Sequence, residues 1–427
     1  MQKIRVIADF DWLDNEEEVG ILGYEKLRGT DVYSFEYNKV WLQKHSNFNM
    51  GGELQPFTGI QYNNSRNKIF GIFSDALPDR WGRRLIDIRV NKSRKDNGKV
   101  AIKLSDWDYI MGVEDKLRMG GFRFKGIESD KYISCFTKSS VPPMIYLDDL
   151  MQAAGEIEKS EYKHMEPDEK WIQRLFQPGS SMGGARPKAC VQDCGVMYVA
   201  KFPSISDSVN VAKWEHFSHL MAIECGINAA ETKIFESKDG RDILLSKRFD
   251  RTDDGRRIHM ASSLSLLGLT DGDGERTGKG YLDIVDLIIS NGDKNVSNNL
   301  SELYRRVAFN ICLGNTDDHF RNHAFLLTKD GWILSPAYDM NPTNSYNQAL
   351  LIDDYTNESS LDILYDAHES YMLDEGTARS IITDVTKNFK YWESTARKLQ
   401  ISRDEMMYFK DRFENGMIWK KGDVIHR

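Results

Sequence analysis

Cysteine is scarce in this chain. There are five (Cys135, Cys190, Cys194, Cys225 and Cys312) among 427 residues, and their odd, scattered count excludes a disulfide framework. Cys190 and Cys194 make a CxxxC pair, but no second pair and no nearby His completes a zinc set, so they read as ordinary reduced thiols. Long apolar runs are missing too, and none approaches the roughly 18 residues that a membrane span needs. The opening MQKIRVIADFDWLDNEEEVG turns acidic early and lacks the basic and apolar regions of a signal peptide. These absences predict a cytoplasmic chain with no membrane association. An excess of basic charge is also lacking: 57 Lys and Arg stand against 65 Asp and Glu, a net charge of −8. Phosphate neutralisation needs clustered cations, so such a body is a poor autonomous binder of nucleic acid. The short basic stretches Arg80-Trp81-Gly82-Arg83-Arg84 and Lys420-Lys421 read as solvated helix faces.

What is present is an apolar content of 40%, enough for real cores, and length enough for two or three units. Residues 1–143 read as short strands and turns with a few helices: VIADF, VGILGYE, YSFEY and KVWL are rich in β-branched and aromatic residues. FSDALPDRWGRRLIDIRV reads as a turn feeding an amphipathic helix, and Lys138-Ser139-Ser140-Val141-Pro142-Pro143 as a linker. Residues 144–252 begin with a helical period (YLDDLMQAAGEIEKSEYK) and return to strand character with VMYVAKFP. The helix SVNVAKWEHFSHLMAIECG then stops at Gly226, and the strands TKIFES and RDILLSKRF flank the Lys238-Asp239-Gly240 turn. Residues 253–427 are helical in pattern apart from one hairpin, AFLLT and WILSPAYD around Lys329-Asp330-Gly331. The order predicts an α+β, two-lobed, protein-kinase-like fold. Its N-terminal part is β-rich, its C-terminal lobe is mainly helical, and a nucleotide site lies in the cleft between lobes.

The sharpest chemical signal is Gly314-Asn315-Thr316-Asp317-Asp318-His319-Phe320-Arg321-Asn322-His323, between a helix and the hairpin. Asp317 and Asn322 stand five apart, the D-x-x-x-x-N spacing of a kinase catalytic loop. There a carboxylate accepts the proton of the attacking hydroxyl, and a carboxamide oxygen binds magnesium without adding negative charge against the phosphates. Asp339 follows where the hairpin's second strand ends, the natural place for the main magnesium ligand. His319 and His323 have metal-ligand spacing if helical, but no HExxH is present and zinc is disfavoured. Lys201 ends an apolar strand, where a cation needs an anion or water, and Glu215 on the following helix could orient it.

Pro178-Gly179-Ser180-Ser181-Met182-Gly183-Gly184-Ala185-Arg186-Pro187-Lys188 is a small-residue loop ahead of a strand. Its glycines would let backbone N–H groups approach phosphate oxygens, with Arg186 or Lys188 supplying charge. Gly274-Glu275-Arg276-Thr277-Gly278-Lys279-Gly280 mimics a Walker A loop, but it is one residue short between glycines and lacks the magnesium-binding hydroxyl. It reads as an exposed loop.

The segments FSDALPDRWGR, SSMGGARPKA, VAKFP, LSKRFDR, GNTDDHFRNHAFLL and LSPAYD, in that order, resemble the HipA-type serine/threonine kinases, toxin components of bacterial toxin–antitoxin pairs. The resemblance implies Asp317 as catalytic base, Asn322 and Asp339 as Mg2+ ligands, and Lys201 on the ATP phosphates. It implies adenine contacts from the Lys247-Arg248-Phe249 segment, largely through its backbone, and His319 among the nucleotide contacts. The Gly/Ser loop, with Gly183 and Gly184, would carry an autophosphorylated serine at Ser181 (Ser180 beside it is the rival) that switches the kinase off. The implied partners are a protein substrate and a helix-turn-helix, HipB-like antitoxin, with operator DNA bound only through the antitoxin. Known substrates in the family include aminoacyl-tRNA synthetases, a choice that no residue here derives. Two positions depart from the family's pattern: Lys247 stands where an acid is common, and Asp318 where glycine is frequent. A small-molecule kinase with the same core and a catalytically idle antitoxin-binding scaffold are the competing expectations.

Overall fold

Strand alternation builds the first sheet. In the computed structural model, which describes residues 1–45, 50–64, 68–78, 80–134, 141–179 and 186–423, β1 (Gln2–Ala8) turns Ile4, Val6 and Ala8 into the interior. It is flanked by antiparallel β2 (Glu17–Leu27) and β5 (Phe122–Gly126), and β3 (Thr30–Tyr37) and β4 (Ile60–Tyr62) extend the sheet to the order β4-β3-β2-β1-β5. Its aromatic core includes Phe35, Phe73, Phe122 and Phe124, all 1% exposed or less. Helices α1 (Lys39–Lys44), α2 (Gly71–Ser74), α3 (Arg80–Asp96) and α4 (Asp106–Gly112) accompany this sheet.

KVWL, expected as a strand from its side chains, is instead the body of α1. Asn38 precedes it as an N-cap, its side chain accepting from the Val40 N–H at 2.8 Å, and Trp41 turns inward while Val40 faces solvent. A capped start overrides weak β propensity. The described part of the expected linker, residues 141–143, is also packed structure. Val141 is buried with Leu117 and Cys190, and the Pro142 carbonyl accepts from the Gln192 N–H. Cys194, the other half of the CxxxC, is exposed.

Helices α5 (Leu147–Tyr162) and α6 (Glu169–Gly179) lead to β6 (Lys188–Asp193) and β7 (Val196–Lys201). The chain then forms α7 (Val211–Glu224) and returns through β8 (Thr232–Glu236) and β9 (Asp242–Lys247), giving a second sheet of order β6-β7-β9-β8. By compactness the chain falls into two units: Met1–Asp207 with Phe235–Ala261, and Ser208–Ile234 with Ser262–Arg427. The sequence segments 1–143 and 144–252 thus fall mostly in the first unit, with α7 in the second.

In the second unit, β10 (Met260–Ser262) carries the chain in, followed by α8 (Ser263–Leu266), α9 (Tyr281–Asn291) and α10 (Val296–Leu313). The hairpin β11 (Ala324–Thr328) and β12 (Gly331–Leu334) comes next, then α11 (Leu361–Asp366), α12 (Glu375–Phe389), α13 (Trp392–Lys398) and α14 (Arg403–Gly416). Helix α10 is the axis, buried from Leu303 to Leu313 except at Arg305, with α12 and α14 packed on it. Trp214, Phe217, Phe389, Trp392, Phe409 and Phe413 interlock by edge and face around it. Gly226 ends α7 at φ +79, where Gly226 N–H reaches the Ile223 carbonyl and Ile227 N–H that of Ala222, the paired bonds of a left-handed C-terminal cap. Among the described residues no helix is long and apolar enough to cross a membrane.

Candidate active site

The loop of interest starts where α10 stops. Gly314 adopts φ +73, a conformation that ends the helix, and the Asn315 N–H closes back on the Asn310 carbonyl at 3.0 Å. A side chain at Gly314 would collide with Arg412, 2.8 Å from a built Cβ, so glycine is required for space as well as for backbone. The two adjacent acids then point into opposite environments. Asp317 is exposed, whereas Asp318 is 3% exposed. The Asp318 Oδ2 accepts from Tyr281 Oη at 2.7 Å and Asn310 Nδ2 at 2.6 Å, and lies 2.8 Å from His323 Nε2. Burial alone would raise this carboxyl, but the charge and hydrogen bond of His323, with the bond from Tyr281, hold it below the ordinary carboxylate value. Asp318 is therefore the anchor of the loop, with its capacity consumed internally.

Asn322 folds back on the loop, its Nδ2 donating to the Asp317 carbonyl at 3.0 Å, while the Asn322 N–H donates to the His319 carbonyl at 2.8 Å. That bond fixes the carboxamide and leaves Oδ1 as a hard oxygen donor. Asp317 and Asn322 are thus brought together by the loop's own hydrogen bonds. His319 is partly exposed as a residue, yet its Nδ1 is buried without a hydrogen-bond partner. Tyr338 Oη holds the Arg321 carbonyl, and the Arg321 guanidinium pairs with Asp271.

Asp339 follows β12 with φ +57, the left-handed region that non-glycine residues seldom occupy. A non-glycine residue there is held by its surroundings, and Asp is among the types that accept it. The chain beside it is pinned on both sides. The Ala337 N–H donates to the Asn228 carbonyl and the Ala230 N–H to the Ala337 carbonyl, while Thr343 N–H and Oγ1 both donate to the Gly314 carbonyl. Arg412 from α14 spans both stretches, donating to the carbonyls of Ser345 at 2.8 Å and Ile311 at 3.2 Å. The Asn341 Nδ2 lies 3.5 Å from Glu215 Oε2, so buried Glu215 faces the Asp339 segment within this unit.

The remaining expected residues lie in the first unit. Lys201 ends β7 directly opposite Lys188 of β6, which places two ammonium groups on one face of the sheet, an arrangement that suits a polyanion. Arg186, offered with Lys188 as a source of charge for phosphates, forks onto Asp207. Lys247 and Phe249 are half-buried around fully buried Arg248. Ser181, Gly183 and Gly184 lie outside the described residues. The false Walker loop is exposed from Glu275 to Gly278, as expected, and its two end glycines are buried: Gly274 and Gly280 pack against the backbone of Ala349 and Leu351, with a Cβ at either standing 2.5 and 2.4 Å from their carbonyl oxygens.

The sequence reading missed Tyr281, Asn310 and Arg412. None sits in a motif, and only the helical spacing from Asn310 to Gly314 hints that Asn310 can reach the loop. A carboxylate at Asp339 and a carboxamide oxygen at Asn322 match the oxygen donors that Mg2+ takes when nucleotide phosphates supply the rest. Among the described residues no three His, Cys, Asp or Glu side chains group as a metal site.

Two family models match the chain: the HipA N-terminal domain over residues 12–101 and the HipA-like C-terminal domain over residues 180–392. The serine/threonine-protein kinase toxin HipA of Shewanella oneidensis MR-1 is 24% identical over 374 residues, 80% of this chain and 78% of that protein. The solved complex of Shewanella oneidensis MR-1 HipA, HipB and operator DNA superposes with a TM-score of 0.67 at 17% identity, covering 97% of this chain and 96% of that one. The Helicobacter pylori proinflammatory kinase CtkA covers 52% of this chain and 95% of that one at 15% identity, with a TM-score of 0.33 too low to argue from. The α+β fold is that of HipA, and this chain belongs to the HipA-type family.

Proposed function

We propose that this protein is an ATP- and Mg2+-dependent protein serine/threonine kinase, the toxin of a HipA/HipB-like pair. The observation that carries the reading is the division of labour between adjacent acids, with Asp318 buried as the loop's anchor and Asp317 exposed beside the fixed carboxamide of Asn322. Asp317 takes the proton of the acceptor hydroxyl as its oxygen bonds to the γ-phosphorus and the bond to the β–γ bridging oxygen breaks, releasing ADP. Asn322 Oδ1 and the Asp339 carboxylate would hold Mg2+, which when bound offsets charge on the phosphates. Lys201 would meet the phosphates, the Lys247–Phe249 backbone the adenine, and His319 would be a further nucleotide contact. Glu215 would orient Lys201.

Autophosphorylation at Ser181 is the proposed off-switch, since a dianion in the Gly/Ser loop repels bound ATP phosphates. The acceptor in trans is a protein, an aminoacyl-tRNA synthetase being the family precedent. The proposed partner is a HipB-like antitoxin that contributes the contact with operator DNA, and the proposed setting is the cytoplasm. Support for the pair comes from the fold shared with a HipA solved alongside HipB and operator DNA.

The test is intact mass after incubation with Mg-ATP, for the wild type and Asp317→Ala. One added phosphate on the wild type alone, mapped to Ser181, is the expected result. No phosphate on either protein, with ATP binding retained, would overturn self-phosphorylation and favour a small-molecule acceptor. No ATP binding at all would leave only a scaffold.

A further inference from the structure

The LSKRFDR stretch was singled out for the nucleotide, yet its alternate residues serve another purpose. Lys247 and Phe249 are half-buried, while Arg248 and Asp250 are 3% and 0% exposed. The strand ends at Lys247 and Phe249 and Asp250 stand in a bend, yet burial alternates, so the Arg248 and Asp250 side chains are committed to the interior while those of Lys247 and Phe249 keep access to the surface. On that inner face the Arg248 guanidinium forks onto Asp250, Nε to Oδ1 at 2.8 Å and Nη2 to Oδ2 at 2.7 Å. Asp250 Oδ2 also accepts from Arg251 Nη1 at 2.7 Å and from the Gly120 N–H at 2.8 Å.

The same segment grips a loop more than a hundred residues earlier in the chain. The Arg118 carbonyl accepts from three guanidinium groups: Arg248 at 3.2 Å, Arg251 at 2.7 Å and Arg257 at 3.1 Å. Arg248 Nη1 also reaches the Leu117 carbonyl at 2.9 Å, and Arg257 Nη2 the Asp115 carbonyl at 2.7 Å. Gly120 closes the loop at φ +68, and a Cβ there would stand 3.2 Å from both His259 Nδ1 and the Met260 nitrogen. Burial and the neighbouring guanidinium groups pull Arg251 and Arg257 down, against the pull of Asp250 and Asp115. Buried ionic networks of this kind are weak stabilisers compared with apolar packing, but they fix geometry strictly. Most of their donors beyond the bonds to Asp250 go to main-chain carbonyls, which makes this network a device for holding backbone in place. On the outer side, the Arg248 N–H bonds the Met197 carbonyl at 2.9 Å, so the backbone between Lys247 and Phe249 is held from the β7 edge as well.

We propose that Arg248 and Asp250 are positioning residues for the nucleotide: they lock the Lys247–Phe249 backbone in the register that meets adenine, using the Asp115–Gly120 loop as a fixed post. The lock rests on the reading of Lys247–Phe249 as the adenine-contacting segment. It makes the N-terminal sheet, through the loop that precedes β5, a working part of nucleotide recognition rather than an appendage.

The experiment uses the full chain and measures ATP and ADP affinity by calorimetry, KM for ATP and kcat in the phosphorylation assay, and the melting temperature. The variants are Asp250→Asn, the paired Arg248→Met with Asp250→Leu, and Arg257→Lys. Asp250→Asn is expected to raise nucleotide Kd and KM about tenfold while kcat changes less than about twofold. The paired apolar variant leaves buried Arg251 and the Gly120 N–H without their carboxylate and should melt below the wild type. Its affinity is therefore read well below its own transition, where a loss in fully folded protein is the outcome that a purely structural role does not produce. Arg257→Lys keeps charge but not the fork and should weaken binding about threefold, which keeps the proposal open to refutation if the other variants do not fold. Folded variants that bind as tightly as a wild type that binds ATP overturn the lock alone. A wild type that binds neither ATP nor ADP overturns the kinase reading and the lock with it.

Discussion

Replacing Asp318 by Ala removes one carboxylate oxygen that serves Tyr281, Asn310 and His323 at 2.7, 2.6 and 2.8 Å. All three partners are buried, so their polar groups lose an acceptor that water cannot replace. A buried donor left unsatisfied costs about 1–3 kcal/mol, and breaking a buried charge pair about 3–5 kcal/mol. These terms overlap, since one side chain supplies both, and roughly 4 kcal/mol is a fair expectation for the whole. At about 2–4 °C per kcal/mol for a unit of this size, the transition of the second unit should fall by roughly 8–16 °C. Asp318→Asn can set its carboxamide oxygen where Oδ2 stands and keep the three bonds, losing the charge alone, and should fall about half as far. Differential scanning calorimetry at neutral pH is the assay, with a resolved transition for each unit or a global shift if they melt together. A melting temperature for Asp318→Ala within about 2 °C of the wild type would refute the anchor, since no relaxation could rehouse three buried donors at so small a cost.

The same carboxylate predicts a pH dependence. Burial would raise the Asp318 carboxyl, but the His323 charge and the bonds from His323 and Tyr281 prevail and lower it. A group depressed in the folded state contributes fully above its unfolded value, about 4, and loses that contribution as pH falls through the lower folded value. The difference in stability between wild type and Asp318→Asn should therefore be flat from pH 7 to about 5 and shrink below about 4. A difference that grows in acid would show the sign to be wrong.

Three further outcomes are expected. Asp317→Asn should cut phosphoryl transfer by about 10²–10⁴ while leaving ATP affinity within about twofold, measured by radiolabel transfer and calorimetry. Gly314→Ala must place a side chain at φ +73 and 2.8 Å from Arg412, so a loss of more than about 1 kcal/mol in urea unfolding is expected, and a neutral result would mean that α10 ends differently in solution. Arg412→Met removes the cation that bonds the last turn of α10 and the Ser345 carbonyl; kcat should drop about tenfold with KM for ATP little changed, whereas a proportional change in both would assign Arg412 to folding alone.

Most strands and helices were legible because periodicity and stop signals agreed: Gly226 ends α7 and Lys329-Asp330-Gly331 turns the β11–β12 hairpin, as their residue types require. KVWL was misread because four residues are too few for a period, and the deciding signal lay one position earlier in Asn38. Residues 141–143 looked like a linker because Val-Pro-Pro carries no periodicity. Only the fold shows Val141 meeting Leu117 and Cys190 from distant parts of the chain. In the loop after α10, spacing identified Asp317 and Asn322 as a pair, but it could not say which of two adjacent acids was spent on structure. That depends on Tyr281 and Asn310, whose approach to Asp318 is a property of packed helices and of no local motif.

The same limit explains LSKRFDR. Its composition, two arginines and an aspartate around a phenylalanine, fits a ligand site as readily as an internal clamp, and charge alone does not distinguish them. Burial does: Arg248 and Asp250 are enclosed, while Lys247 and Phe249 beside and between them stay half-buried. Once Arg248 and Asp250 are fixed to Gly120 and the carbonyls of Leu117 and Arg118, whatever Lys247 and Phe249 recognise must be met from the other face. A segment whose inner side chains are tied to the Gly120 N–H, to the carbonyls of Leu117 and Arg118 and to one another has little freedom to adapt to its ligand. Recognition there must come from backbone held in advance, which is why weakening the clamp should appear in affinity before it appears in kcat.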